Sequence, residues 1–284
     1  RGYDRLPVPL PNPSTSSTKT SSSGQASQSP VSNLQSPTLA VGAHLKNSAA
    51  LAVENKAFLS QHIGDLETAP AYAALERVTA DLQQMLGSPA QAVACDLHPD
   101  YLSTKLAEAQ GKPLWRVQHH YAHVVSCLAD NQLPPNTPAL GICWDGTGYG
   151  EDGTVWGGEF LRTGGGMEGY GRTAHFRTFP LLGGDQAARE PRRAALGLLA
   201  AHFGLDAFQM DYLAPLQAFT PAELGIMQTM FERNLNCPQT SSVGRLFDAV
   251  ASLLGIKQQA QFEGEAAMAL EFALVGSEAV EPYS

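Results

Sequence analysis

Ala139-Leu140-Gly141-Ile142-Cys143-Trp144-Asp145-Gly146-Thr147-Gly148-Tyr149-Gly150-Glu151-Asp152-Gly153-Thr154-Val155-Trp156-Gly157-Gly158-Glu159-Phe160-Leu161-Arg162 is the stretch that decides the fold. Residues 139–144 read as an apolar strand, 145–153 as a glycine-rich tight turn and 154–162 as the returning strand, with a third strand at 167–175. The same plan stands once before without similarity of sequence. There a short apolar strand at 38–42 ends on Gly42, a turn covers 42–47, and strands follow at 48–53 and 56–62, parted by Glu54-Asn55. A breaking segment at 68–70 then leads to a helix at 72–85, where Leu75, Val78, Leu82 and Met85 recur at helical spacing. Strand 92–95, helix 101–110, strand 114–117 and helix 119–130 complete the run.

Alternation of this kind predicts an α/β fold of two topologically similar lobes, the first at 38–132 and the second at 138–284. The second lobe does not finish on schedule. Residues 185–284 are mainly helical in pattern, with helices expected at 189–203, 221–235, 242–254 and 263–275. They read as a helical insertion in a lobe that is C-terminally incomplete. Residues 1–37 are expected to be a flexible linker, because 11–37 are nearly all Ser, Thr, Pro, Gly, Gln and Asn and offer little apolar surface to offset chain entropy. Arg1-Gly2-Tyr3-Asp4 reads as the middle of a longer polypeptide.

Bulk properties remove several classes of function. The chain of 284 residues is 43% hydrophobic, enough for a sizeable core, and carries a formal net charge of −9 with no long Lys/Arg run. Nucleic-acid and anionic-membrane surfaces need clustered cations, so neither is expected as a partner. No apolar run approaches the roughly 20 residues of a spanning helix. Cys95, Cys127, Cys143 and Cys237 have the spacing of neither a zinc ribbon nor a disulfide framework, which points to reduced thiols and a cytoplasmic protein. A Walker phosphate loop, a nucleophile elbow and an obvious nucleophile–His–Asp set are absent.

Four motifs carry chemistry. In Gln118-His119-His120-Tyr121-Ala122-His123, His119 and His123 stand four apart and share a helix face, so both imidazoles can reach one metal ion. His120 points elsewhere and is a candidate for contact with substrate. A polar helix start with its histidines satisfied in the core is the competing account. In 145–153, glycine amides can wrap a phosphate, and Asp145 at the strand end can hold a hard cation; a plain glycine hairpin is the alternative. Gly183-Gly184-Asp185 precedes a helix and either caps it or binds an anion, with Arg189, Arg192 and Arg193 following as solvated charges or phosphate contacts. Thr240-Ser241-Ser242-Val243-Gly244-Arg245-Leu246-Phe247-Asp248 and Phe262-Glu263-Gly264-Glu265 are weaker: Ser241 or Ser242 is a plausible N-cap and Asp248 an ordinary surface acid.

Taken in order, these motifs, with residues 43–47, 60–66 and 96–101, resemble the C-terminal Kae1-like domain of the HypF carbamoyltransferases of [NiFe]-hydrogenase maturation. That domain is related to threonylcarbamoyl-transferring tRNA-modification proteins and antibiotic O-carbamoyltransferases. The resemblance covers about 38–275 and implies the two-lobe fold of the actin, Hsp70 and sugar-kinase superfamily. It implies a divalent metal, zinc or iron, on His119, His123 and Asp145, with His120 and Asp145 as catalytic residues. It also implies a nucleotide held by Lys46, Asn47, Gly146, Thr147, Gly148, Tyr149, Gly183, Gly184, Asp185, Gly244, Asp248 and Gly264. The implied reaction makes carbamoyl-adenylate from carbamoyl phosphate and ATP and passes the carbamoyl group to the C-terminal Cys thiol of the partner HypE. O-carbamoyl transfer, threonylcarbamoyl transfer and an inactive nucleotide-binding fragment are the alternatives. Two residues depart from the family pattern: Tyr121 stands where His is usual, and Arg192 where Trp is usual. The upstream domains and the closing glycine loop with its last metal-ligand Asp are missing, so the chain resembles a domain truncated at both ends.

Overall fold

A computed structural model describes residues 8–9, 36–134, 137–164 and 169–275. Most of the linker expected at 1–37 lies outside the described residues. The chain divides into two compact units, Arg1–Gly141 with Leu161–Thr173, and Ile142–Phe160 with Ala174–Ser284.

The first unit is built on a six-stranded mixed sheet. Its strands are β1 (Val8–Pro9), β2 (Thr38–Ala40), β3 (Ala50–Val53), β4 (Lys56–Leu59), β5 (Ala92–Asp96) and β6 (Leu114–Val117), in the order β1-β4-β3-β2-β5-β6. β2, β3 and β4 form an antiparallel meander, and β2, β5 and β6 run parallel. Parallel neighbours need long crossovers, which here are the helices α1 (Ala69–Met85) and α2 (Leu102–Ala109). α3 (His119–Asp130) follows β6 after one residue, Gln118. Residues 68–70, expected to break the chain, instead start α1. Thr68 Oγ1 accepts from Ala71 N at 3.4 Å, and Pro70 sits in the first turn, where a missing N–H costs nothing. Leu39, Val41, Leu51, Ala90, Val93, Cys95 and Ala107 form one core cluster, and Ala49, Leu66, Leu75 and Leu106 a second.

Gly42 closes the first strand with φ +69°, and a Cβ there would stand 2.5 Å from Ser48 O. Only glycine fits both the torsion and the space.

A second sheet, whose β10, β11 and most of β7 and β8 fall in the second unit, is formed by β7 (Leu140–Tyr149), β8 (Val155–Thr163), β9 (Tyr170–His175), β10 (Phe179–Pro180) and β11 (Gln239–Thr240) in the order β10-β11-β8-β7, with β9 beside β8. β7 runs through the glycine motif to Tyr149, so Asp145–Tyr149 are strand and not turn as expected. Alternating glycines do not end a strand whose ladder partner continues. The turn is confined to 150–153, where Gly150 N donates to Thr154 O at 2.9 Å and Asp152 Oδ1 accepts from Trp156 Nε1 at 2.9 Å. The remaining elements are helical: α4 (Gln186–Arg189), α5 (Pro191–Phe203), a 3₁₀ turn (Gly204–Gln209), α6 (Ala214–Gln217), α7 (Pro221–Glu232), α8 (Val243–Leu253) and α9 (Glu265–Ala273). α5 is the hub. Its Leu196 and Ala200 pack with Leu182, Phe208, Leu216, Phe219 and Met227, and its Ala194 and Ala195 pack with Phe179, Leu181 and Ala249.

Arg192 is only 5% exposed, and its charge is met inside the helical part. Its guanidinium lies 4.2 Å from the Phe219 ring centroid, pairs with Glu190 Oε2 at 2.6 Å and Glu223 Oε1 at 3.1 Å, and donates to Ala218 O. Glu223 is also the return partner of Thr220 in the α7 capping box. Backbone and hydroxyl donation from Thr220, aided by Arg192, holds Glu223 at about 2, and the bonds from Arg193 and Arg192 hold Glu190 below the usual range despite its burial.

Arg192→Ala removes the cation that pairs with half-buried Glu190 and is expected to lower the urea midpoint of unfolding at pH 7. Because the folded carboxylates titrate below their unfolded value near 4.5, this stabilisation is present at neutral pH and is lost as the pH falls toward 2. A loss beginning already near pH 6 contradicts the assignment.

Candidate functional site

In the first unit the site grows from one register. β5 and β6 pair with Asp96 opposite Val117, so the last residue of β5 lies beside the chain that turns into α3. Gln118 caps α3, its Oε1 accepting from Tyr121 N at 2.9 Å, and this aims the first helical turn back at the sheet edge. His119 Nδ1 then lies 3.0 Å from Asp96 Oδ2, and His119 Nε2 lies 3.1 Å from His123 Nε2. Two ligand nitrogens of one tetrahedral zinc at its usual bond length stand about 3.3 Å apart. The pair is therefore spaced for a shared cation. Asp96, side chain 5% exposed, stands where a carboxylate fixes the tautomer and basicity of a ligating imidazole.

Sequence alone marks Asp96 only as the first residue of the 96–101 motif. Its signal was available: an acid at the end of an apolar strand, just ahead of a His-Pro turn.

His120 is fully buried, with Nδ1 3.2 Å from Gln118 Nε2. Tyr121 stacks on Tyr170 with centroids 4.6 Å apart. His98 and His44 both stack on Tyr101, at 4.1 and 5.3 Å. Lys46 is exposed in the left-handed region (φ +49°), its amide donating to Asp65 Oδ1 at 2.9 Å. Asn47 is 1% exposed; its amide nitrogen donates to Val41 O at 2.8 Å and Ala43 O at 2.5 Å, which fixes the turn.

The second unit holds a cleft of about 210 Å³. Asp145, Gly146, Gly244, Asp248 and Gly264 line it together, as do Arg245 and Glu263, two residues that the sequence did not single out. Thr147, Gly148 and Tyr149 lie farther along β7 and do not line it, nor do Gly183, Gly184 and Asp185. The Gly183–Asp185 turn is tied to the chain instead: Gly183 N donates to Asn236 O at 2.9 Å and Gly184 N to Leu181 O at 3.1 Å. Arg193 pairs with Glu190 at 3.1 Å, so neither it nor Arg192 is solvated.

Asp248, taken from sequence as an ordinary surface acid, is buried, because α8 turns this face inward. Arg245 Nη2 stands 3.1 Å from Asp248 Oδ2 as an ion pair, and Arg245 Nε and Nη1 and Asp248 Oδ2 have no hydrogen-bond partner among the described residues. Burial pushes the Asp248 carboxyl up to about 6, against the pull of Arg245. Ser242 is the N-cap of α8, its Oγ accepting from Arg245 N at 3.1 Å.

The two-unit α/β fold with mixed sheets is that of the actin-like Kae1 domains. Residues 33–130 match the HypF Kae1-like domain, and residues 141–284 match the second subdomain of the carbamoyltransferase Kae1-like domain. The chain belongs to the HypF carbamoyltransferase family. It is 43% identical over 249 residues to the carbamoyltransferase HypF of Synechocystis sp., covering 84% of this chain and 32% of that protein. It is 38% identical over 239 residues to a probable carbamoyltransferase HypF of Methanocaldococcus jannaschii, covering 82% and 30%. Among solved structures, full-length HypF in a phosphate- and nucleotide-bound form matches with TM-score 0.82 at 33% identity over 100% of this chain and 34% of that one. HypF of T. kodakarensis matches with TM-score 0.79 at 30% identity, over 98% and 35%. The chain thus spans about a third of the length of these relatives. No helix among the described residues is long and apolar enough to cross a membrane.

A carboxyl-carbon NMR titration is expected to give Asp248 a midpoint near 6. A midpoint near 4 would show the carboxylate open to water.

Proposed function

We propose that this chain is the carbamoyl-transfer module of a hydrogenase-maturation carbamoyltransferase, and that it passes a carbamoyl group from carbamoyl-adenylate to the C-terminal Cys thiol of HypE. The observation that carries the reading is the Asp96–His119–His123 relay, a metal-site geometry within a chain of this family. His119 and His123 would hold the metal, and on the resemblance alone Asp145 is offered as a third ligand. A His₂-carboxylate set suits zinc or iron(II). Bound there, the cation supplies positive charge to an oxygen that gains negative charge as the acyl bond breaks.

The rest of the chemistry falls to the chain. The cleft between β7, α8 and the turn before α9 takes the nucleotide. Gly146, Gly244 and Gly264 allow close approach of backbone, and Asp248 and Glu263 offer acceptors to hydroxyl or amino groups. Holding the adenylate in place converts attack by the thiolate into a nearly unimolecular step. The thiolate sulfur bonds the carbamoyl carbon, the carbon–oxygen bond to the phosphate breaks, and AMP leaves with that electron pair. Carbamoyl phosphate and ATP would be the ultimate substrates, with adenylate formation assigned to the part of the relatives that this chain does not span.

Four variants test the site. His119→Ala and His123→Ala are each expected to abolish stoichiometric metal, measured by elemental analysis, and to cut carbamoyl transfer in the full-length protein by at least about a hundredfold. Asp145→Asn is expected to lower metal content likewise. Asp96→Asn keeps the shape but loses the charge behind His119, and should weaken metal affinity about 10–100-fold. Full metal content in both histidine variants would remove the site.

A further inference from the structure

Glu159 is fully buried on β8 and takes no part in the chemistry described. One of its oxygens, Oε1, accepts from Gly157 N at 3.1 Å, from Gly158 N at 3.2 Å and from the Ser241 hydroxyl. Several donors gathered on one carboxylate oxygen is the pattern of a charge-assisted anchor.

The anchor leads directly to the cleft. Thr240 Oγ1 and Ser241 N both donate to Val155 O at 3.0 Å, and Ser242 N donates to Thr240 Oγ1 at 3.0 Å. The Ser242 hydroxyl lies 2.8 Å from both Asp145 O and Gly146 O, sharing its one proton between them, while its oxygen caps Arg245 N. Backbone meets backbone throughout. A Cβ on Gly157 would stand 2.6 Å from Asp145 O and 2.9 Å from Ser242 Cα, one on Gly158 2.3 Å from Ser241 O, and one on Gly244 2.7 Å from Gly146 Cα. Such layers keep their spacing only if something fixes the depth of Ser241, and Glu159 reaches it from β8.

We infer that Glu159, acting through Ser241, is a positioning residue that sets the N-terminus of α8 against Asp145–Gly146 and so holds the cleft in its ligand-binding shape. The inference rests on the reading of that cleft as the nucleotide site.

The experiment uses the whole chain, AMP as the probe, and three variants. Ser241→Ala removes the hydroxyl donor. Glu159→Gln keeps the volume but replaces the anion by a group that presents a donor as well as an acceptor. Thr220→Ala breaks the α7 capping box, whose residues do not line the cleft, and serves as the stability control. Hydrogen exchange of peptides over 145–149 and 244–247 and AMP affinity by calorimetry are measured well below the unfolding temperature of every variant. Ser241→Ala is expected to speed exchange in both peptides about tenfold and to weaken AMP binding about tenfold, with Glu159→Gln as strong or stronger. Thr220→Ala should lower the unfolding midpoint and change neither. Unchanged exchange in Ser241→Ala overturns the inference, as does faster exchange with AMP affinity intact, which would make the anchor structural only. Should Glu159→Gln fail to fold, Ser241→Ala alone decides. If the unaltered chain binds no AMP while exchange still quickens in Ser241→Ala, the nucleotide reading falls and the positioning of the turn stands.

Discussion

The register of one parallel strand pair brings the first unit's carboxylate and histidines together. Because β5 and β6 run side by side with Asp96 opposite Val117, a strand-end carboxylate and a helix-start imidazole meet at the same sheet edge. A parallel sheet gathers the carboxyl ends of its strands, and the loops leaving those ends are where α/β folds place their polar groups. Slip that register by one residue and Asp96 turns to the other face of the sheet. The helical i, i+4 spacing would still pair His119 with His123, but nothing would fix the ring that faces both.

The second unit meets a different demand. Its cleft is made where the middle of β7, the start of α8 and the turn before α9 approach, and at Gly244 the two backbones of α8 and β7 come close. That approach is held by hydrogen bonds, through Ser242 to the carbonyls of Asp145 and Gly146 and through Ser241 to Glu159. Burying a carboxylate is expensive, and its donors offset that cost only in one arrangement. The Arg245–Asp248 contact is of the opposite kind. It is buried and incompletely satisfied, which leaves guanidinium donors without hydrogen-bond partners among the described residues, beside the space a ligand would enter.

Arg192 shows how the helical part holds a buried cation. Its planar guanidinium lies over Phe219 and its nitrogens meet Glu190, Glu223 and a backbone carbonyl. A flat charged group thus joins the start of α5 to the start of α7 by stacking and ion pairs together. α5 itself stays the centre of both core clusters, since its small residues admit close packing on either side.

The sequence by itself determined what is local. Alternating strands and helices gave an α/β chain, the bounds of α3 came out at His119–Asp130 as read, and the four-residue spacing placed His119 and His123 on one face. Ser242 as a helix cap was one of two readings open from residue type alone. These are legible because period and capping record interactions spanning a few residues. The continuation of β7 through Tyr149 was not, since glycines that end an isolated strand persist in one that has a neighbour. Only the tertiary structure could decide that Asp96 backs His119 from 23 positions away, that Ser241 rests on Glu159 from 82 away, that Asp248 is buried, and that the Gly183–Asp185 turn stands apart from the cleft. Such partners are chosen by strand register and helix packing, which depend on the whole fold at once and leave no periodic mark in the chain.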